Sequence, residues 1–321
     1  MLIVTYSSIN CFRNCHKRYY WEYDQCLVPK KEAWPLLDGR ALHYALEAYH
    51  GGYRSQGPLG DKTSPPQSNA QREAYMGTIL NIIDTFYGKL GSQEQYENIY
   101  EEHKAMIRAM VKGYAVIHPP DEFEEYIPEA KFRIELENPL FGEEYGKDKR
   151  FILAGKTDAR IMTKERQKYL FETKTTSENS ITKYLERLTL DSQPDCYLLS
   201  DPSVVGVIYN IIRKPKLKQA AFESNEKFFR RFEKVMLSDA QLPEEARKYY
   251  FRETIYRSPE ELSAFKIELN QIVLDMSQYL PYKNPARCMD FNGCPYIRLD
   301  EGYEVGSEFR KKGASHEELT Q

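Results

Sequence analysis

Residues 151–175 read FILAGKTDARIMTKERQKYLFETKT. The run divides into three short strands, with a carboxylate at Asp158, a second at Glu172 and a lysine at Lys174. Side chains at i, i+2 and i+4 of a strand share a face. Leu170, Glu172 and Lys174 therefore point one way, and Tyr169, Phe171 and Thr173 the other. This strand is otherwise apolar enough to be core. Burying two charges in it costs free energy unless they pair or hold something. A salt bridge on an edge strand meets that condition, and so does a metal site.

Working outward, Pro128–Glu137 alternates as one strand (Ala130, Phe132, Ile134, Leu136) with Glu129 at its start. Before it, two helices are predicted at 70–90 and 95–117, preceded by a loop over 57–69. A helix over 36–50 carries Leu42, Ala45, Leu46 and Tyr49 as its apolar stripe, with His43 beside it and Gly51-Gly52 at its end. The first helix is expected to start on a serine cap at Ser7 or Ser8 and to run through Tyr23, with Cys11 and Cys15 one turn apart on one face.

Downstream, one helix is predicted over 180–199, with Gln193 and Tyr197 at i and i+4. Val204–Ile212 is rich in β-branched residues and reads as a buried strand. The basic run RKPKLK, Arg213–Lys218, follows it. It reads either as a solvated loop or as a contact for phosphates. Helices are expected at 226–236, 244–256 and 259–280, and then a mobile polar tail.

The totals bound the class. A chain of 321 residues, 41% hydrophobic and 29% charged, can bury a sizeable core. Its apolar runs fall short of a membrane helix. The start, MLIVTYSSINCFRNC, lacks the basic residues and cleavage site of a signal peptide. The cytoplasm is therefore the expected compartment, with no membrane partner, and the six cysteines are expected as thiols or metal ligands. A net charge of −3 excludes a passive nucleic-acid coat but not a local basic groove.

Chemistry gives the paired charges a use. Hydrolysis of a phosphodiester employs a metal that polarises the phosphate and acidifies a water. Mg²⁺ takes one or two carboxylates and several waters. A lysine on the same strand can position or deprotonate that water and offset developing charge. There is no P-loop, H-E-x-x-H or G-x-S-x-G.

The order of these elements resembles the PD-(D/E)XK nuclease core. GRALH (39–43), GKTD (155–158), ETK (172–174) and QPDCY (193–197) are similar to its RecB-like exonuclease branch. That branch includes nuclease domains of bacterial recombination helicase-nucleases, CRISPR-associated RecB-like exonucleases and phage proteins. The resemblance covers roughly residues 5–215 and the terminal cysteines. It implies an α/β fold, with a restriction-endonuclease-like central mixed sheet flanked by helices. One nuclease-like domain over 1–300 would carry a helical insertion at 57–120 and a helical C-terminal part at 220–285, with a polar tail at 301–321.

The resemblance further implies that His43, Asp158, Glu172 and the Thr173 carbonyl hold Mg²⁺ or Mn²⁺, and that Lys174 is the catalytic lysine with Asp158 and Glu172. Gln193 and Tyr197 would support the site and contact DNA, and Glu129 matches a position that is often acidic. The implied activity is metal-dependent hydrolysis of DNA, as an exonuclease on single- or double-stranded ends in recombination, repair or phage DNA processing. Any helicase or recombinase would be a separate chain. A non-cleaving DNA-binding scaffold and a structure-specific or RNA-directed nuclease are the rivals.

Members of this branch often clip the chain ends together with a [4Fe–4S] cluster. Cys15, Cys288 and Cys294 match three of its ligands, while the fourth falls near Asp300, which is not a cysteine. Four thiolates are the usual set. Two readings stand: a cluster completed by Cys11 or Cys26, or thiols in a clip closed by packing alone. Cys196 reads as core.

Overall fold

The computed structural model describes residues 1–52, 66, 68–93, 99–142, 149–289 and 293–319. Most of the loop expected over 57–69 lies outside them. The chain opens with β1 (Ile3–Val4) and α1 (Tyr6–Asn14). Thr5, rather than Ser7 or Ser8, is the cap. Its hydroxyl accepts from the Ser8 N–H, and the Ser8 hydroxyl accepts from the Thr5 N–H. The first helix also stops early, because Cys15 is extended at φ −164° and ψ 111°. A separate turn, α2 (His16–Tyr19), and a π-turn over Tyr20–Asp24 continue to β2 (Leu27–Pro29).

Next, α3 (Trp34–Gly51) starts with Pro35 in its first turn, where a missing N–H costs little. It buries Leu37, Ala41, Leu42, Ala45, Leu46 and Tyr49 against α4 (Asn69–Gly91) and α5 (Tyr100–Ile117). β3 (Glu125–Pro128) and β4 (Lys131–Glu137) replace the single strand expected there. The break is at Glu129, which sits in the left-handed region at φ 49°. Their partner, β5 (Arg150–Lys156) followed by β6 (Ala159–Met162), breaks at the same level at Thr157 and Asp158. The Glu129 N–H donates to the Asp158 carbonyl at 2.8 Å and the Thr157 N–H to the Ala130 carbonyl at 3.0 Å, which fastens the two breaks together. Gly155 lies opposite Phe132, whose ring would stand 2.5 Å from any Cβ placed there.

On one side of this seam, the sheet order is β1-β5-β4. On the other, β3 and β6 join β7 (Lys168–Thr176), β8 (Gly206–Arg213) and β9 (Tyr250–Ile255) in the order β3-β6-β7-β8-β9. β7 and β8 are parallel and the remaining pairs antiparallel, so the sheet is mixed. Between β7 and β8 the expected single helix is two, α6 (Ile181–Thr189) and α7 (Gln193–Ser200), separated ahead of Pro194. After β8 comes α8 (Asn225–Ala240).

The helix expected over 244–256 is a 3₁₀ turn at Glu244–Ala246 and then β9. Tyr250 and Ile255 are buried there, and the edge of β8 supplies a ladder that local sequence does not announce. α9 (Pro259–Gln278) packs on α7 beneath the sheet, followed by α10 (Pro285–Cys288) and α11 (Ile297–Asp300). The stretch expected as a mobile tail returns to the N-terminal part, since β10 (Phe309–Lys311) pairs with β2 and Phe309 is buried. Helices α3, α4, α5 and α8 share one core, and α1, α7 and α9 form another with the sheet. Among the described residues, no helix is long and apolar enough to cross a membrane.

Candidate active site

The pleat of β7 divides its side chains as the spacing predicts. Leu170 packs with Leu188, Tyr197 and Tyr209, whereas Phe171 joins Phe123, Tyr126, Ala159 and Ile161. Glu172 and Lys174 share the Leu170 face, toward α7. Asp158 reaches the same place from the seam, and its Oδ2 accepts the Thr173 N–H at 2.7 Å. The strand break therefore aims this carboxylate across at β7.

His43 arrives from α3. Its Nδ1 lies 3.2 Å from Asp158 Oδ1, and its Nε2 lies 2.9 Å from the Thr173 carbonyl oxygen. A ring that faces two acceptors must carry both protons to bond to each. Burial opposes that charge, but Asp158 and then Glu172 raise the His43 pKa above its ordinary value. Asp158 is in turn held low: burial alone would raise it, and His43, Lys174 and the Thr173 N–H outweigh that.

Glu172 is the buried member, 6% exposed at its side chain, against 23% for Asp158, 26% for Lys174 and 36% for His43. Its Oε1 accepts from Lys174 Nζ at 2.8 Å and Gln193 Nε2 at 3.0 Å. Its Oε2 is buried and has no hydrogen-bond partner among the described residues. Burial and the nearby Asp158 raise its pKa, against the pull of Lys174. Lys174 is held as an ammonium because Glu172 and Asp158 outweigh the cost of its burial.

Gln193 and Tyr197 are both buried, inside the site rather than on its surface. Gln193 Nε2 also donates to the Tyr197 hydroxyl at 2.8 Å. That hydroxyl donates to the Lys156 carbonyl at 3.3 Å, and the Tyr209 hydroxyl donates to Gln193 Oε1 at 3.4 Å. The pair fixes the rotamer of Glu172, and in this arrangement it offers no surface for DNA. Glu129 stays at the seam, bound to Lys156 Nζ at 2.6 Å. Glu47, one turn beyond His43, was missed. Burial, then Glu129 and Asp158, raise its carboxyl. The i, i+4 spacing to His43 was the available signal.

Whether a divalent cation suits these residues can be judged from their donors. Among the described residues, no group of three or more His, Cys, Asp or Glu side chains is gathered as a metal site. The orphaned Glu172 Oε2, the Asp158 carboxylate and the Thr173 carbonyl are nonetheless hard oxygen donors, and His43 adds a nitrogen once a bound cation displaces one of its ring protons. That set fits Mg²⁺ or Mn²⁺, which take few protein ligands and complete their shell with water.

Among the described residues, the cysteines are not gathered as a four-thiolate group. The Asn284 N–H donates to Cys15 Sγ at 3.3 Å, Cys288 Sγ donates to the Asn284 carbonyl at 3.4 Å, and all six cysteines are free. Burial pushes the Cys11 thiol up to about 12 and raises Cys294 as well. Asp300, at the fourth position, accepts from Trp21 Nε1 at 2.7 Å. Cys26 is turned toward Tyr23 and Ser315. Hydrogen bonds and packing close this corner, including the Tyr296 hydroxyl on the Leu27 carbonyl at 2.8 Å. Cys196 is core, as expected.

The basic run Arg213–Lys218 is partly consumed by the fold. Lys214 Nζ is 2.8 Å from buried Asp38, Arg213 donates to the Asn179 carbonyl at 2.9 Å, and Lys216 Nζ to Asn179 Oδ1 at 2.8 Å.

Comparison with known proteins places the chain. The family model described as the PD-(D/E)XK nuclease superfamily matches residues 3–299. No curated protein matches it. Among matching solved structures, SSO0001 aligns over 87% of this chain and 78% of its own. Its identity is 13% and its TM-score 0.33, too loose a likeness to carry an argument.

Proposed function

The chain belongs to the PD-(D/E)XK nuclease superfamily, and on that premise we propose that it is a Mg²⁺- or Mn²⁺-dependent deoxyribonuclease. The finer reading is a RecB-like exonuclease in the cytoplasm, acting on DNA ends in recombination, repair or phage DNA processing. A separate helicase or recombinase chain would supply any motor. Residues 1–300 would act as one nuclease-like unit, with 57–120 as an insertion and 220–285 as a C-terminal part.

The observation that carries this reading is the set Asp158, Glu172 and Lys174, converging from a seam and a central strand, with one buried carboxylate oxygen left unpaired. An orphaned buried acceptor costs stability, on the order of 1–3 kcal/mol. A site that keeps one has a use for it.

In the proposed mechanism Asp158, Glu172, the Thr173 carbonyl and His43 would hold the cation. When bound, the cation would supply charge to polarise the phosphate and would acidify a water. Lys174, kept protonated by its two carboxylates, orients the attacking water and offsets charge building on the phosphate. That protonation argues against its acting as the base. Gln193 holds Glu172 in place, and Tyr197 holds Gln193. His43 keeps Asp158 and the Thr173 carbonyl facing one point.

The deciding experiment is cleavage of end-labelled linear single- and double-stranded DNA beside a closed circle, in Mg²⁺, Mn²⁺ or EDTA. Metal-dependent loss of linear DNA alone is the expected result. Nicking of the circle would keep the site and change the activity to an endonuclease. DNA binding without cleavage under every condition would favour a scaffold.

A further inference from the structure

Between β8 and α8 the chain makes a turn that displays an aromatic ring. Phe222 has a relative exposure of 108%. Its φ is 65°, in the left-handed region that bulky L-residues rarely enter. The turn is tied down all around it. The Glu223 N–H donates to the Ala220 carbonyl at 3.1 Å, and the Ala220 N–H to Glu223 Oε2 at 3.0 Å. Gln219 Nε2 donates to the Glu223 carbonyl at 2.7 Å and to Asn225 Oδ1 at 2.8 Å. Arg231 pairs with Glu223 and donates to the Lys218 carbonyl at 3.3 Å. The fold spends backbone strain to hold an apolar ring in water. Neither half of that arrangement favours the folded state, so a bound partner is the reason to keep both.

Position and charge identify the partner. β8 runs parallel to β7, Arg213 pairs with Thr176, and the Lys214 N–H donates to the Thr176 carbonyl at 2.8 Å. The segment thus leaves the sheet one strand over from Lys174 and two residues further along. Lys214 anchors it to Asp38, on the same helix as His43. Lys218 is exposed on the way to Phe222, and so is Lys216, which gives one of its three protons to Asn179 Oδ1. Exposed cations beside an exposed aromatic ring are the pattern that tracks a phosphate backbone and stacks its bases.

We propose that Phe222 is a stacking platform for one base of a nucleic-acid strand lying in the candidate site, with Lys216 and Lys218 facing its phosphates. The proposal rests on the nuclease reading and adds a substrate contact to it.

The test uses the full chain in EDTA, which separates binding from cleavage, with a fluorescein-labelled single strand and a duplex carrying a single-stranded overhang. Phe222→Ala should weaken binding about 10-fold, the scale of one base–aromatic stack. Phe222→Trp should restore it, and the new indole's fluorescence should be quenched at the same DNA concentration that saturates binding. Phe222→Gly, which suits the left-handed turn, should lose affinity like the alanine variant while melting no lower than wild type. Unchanged affinity in Phe222→Ala, or an indole in Phe222→Trp that stays unquenched under saturating DNA, would overturn the platform and point to a protein contact. Failure of the wild-type chain to bind either DNA would overturn the nuclease reading and this proposal together.

Discussion

Asp38 on α3 and Glu172 on β7 are both buried carboxylates, 1% and 5% exposed, and their surroundings are opposite. Asp38 has both oxygens filled. The Tyr87 hydroxyl donates at 2.8 Å, His103 Nδ1 lies 2.9 and 3.0 Å from the two oxygens, and Lys214 Nζ donates at 2.8 Å. Burial alone would raise its pKa, but His103 and Lys214 reverse the sign and hold it low. Glu172 has one oxygen filled and one empty, and its pKa is raised. A saturated acid is finished as a structural part. An acid with a spare lone pair is arranged for something that arrives later.

The largest effect expected from this contrast is at Glu172. Glu172→Gln should cut cleavage by about 10³-fold or more while the melting temperature changes little, because the amide oxygen can still accept from Lys174 and Gln193. A fall in melting temperature with cleavage intact would make Glu172 the structural acid. Asp38→Ala should do the reverse. It strands Lys214 and His103 and should cost about 3 kcal/mol or more in urea unfolding, with turnover per folded molecule unchanged.

Acid provides the next test, on the opposite face of β7. His50 is fully buried and bonded to the Tyr114 hydroxyl at 2.8 Å. Burial lowers its pKa from 6.5 to about 3. The unfolded chain then takes up a proton that the folded chain refuses, so stability is full above about pH 6.5 and falls with acid. The loss should reach roughly 3 kcal/mol by about pH 4, at 1.36 kcal/mol per unit. Burial would raise Glu122, but His118 and Arg252 bring it down to about 2, which adds a further loss below about pH 4.5. Unfolding free energies that stay flat between about pH 6.5 and 4 would remove His50 from the account.

Smaller effects should separate support from structure. Gln193→Leu should lower cleavage about 10-fold by releasing Glu172, in the range of lost outer contacts to a site, with DNA affinity in EDTA unchanged. Weakened DNA binding instead would return Gln193 to a direct contact. Tyr87→Phe should cost only about 1 kcal/mol, since Asp38 keeps Lys214 and His103 as partners. A loss several times larger would mean that the hydroxyl, not Lys214 and His103, satisfies Asp38.

The sequence carried the charged strand well, because period two is a short-range property: Glu172 and Lys174 are two residues apart and share a face without help from the fold. The seam was invisible, since alternation continues through Glu129 and nothing local reports that its φ changes sign. β9 was misread because a strand is defined by its neighbour, and Tyr250–Ile255 gains one only beside β8. Asp38 was illegible for the same reason at longer range. Its donors lie 49, 65 and 176 residues away. The family resemblance supplied His43 and the Gln193–Tyr197 pair, but not that the pair would face inward.

The corner where α2 and β2 meet the last elements governs the order of folding. Trp21 bonds Asp300 across 279 residues, Leu27 bonds Tyr296 across 269, and His316 Nε2 lies 2.9 Å from the Ile3 carbonyl oxygen. Loops that long lose much chain entropy on closure, and contacts of such high order form slowly. During synthesis residues 3–27 leave the ribosome well before the residues they bond. Until those residues follow, Phe12 and Tyr19 lack Tyr279, and Tyr23 lacks His316, as ring partners.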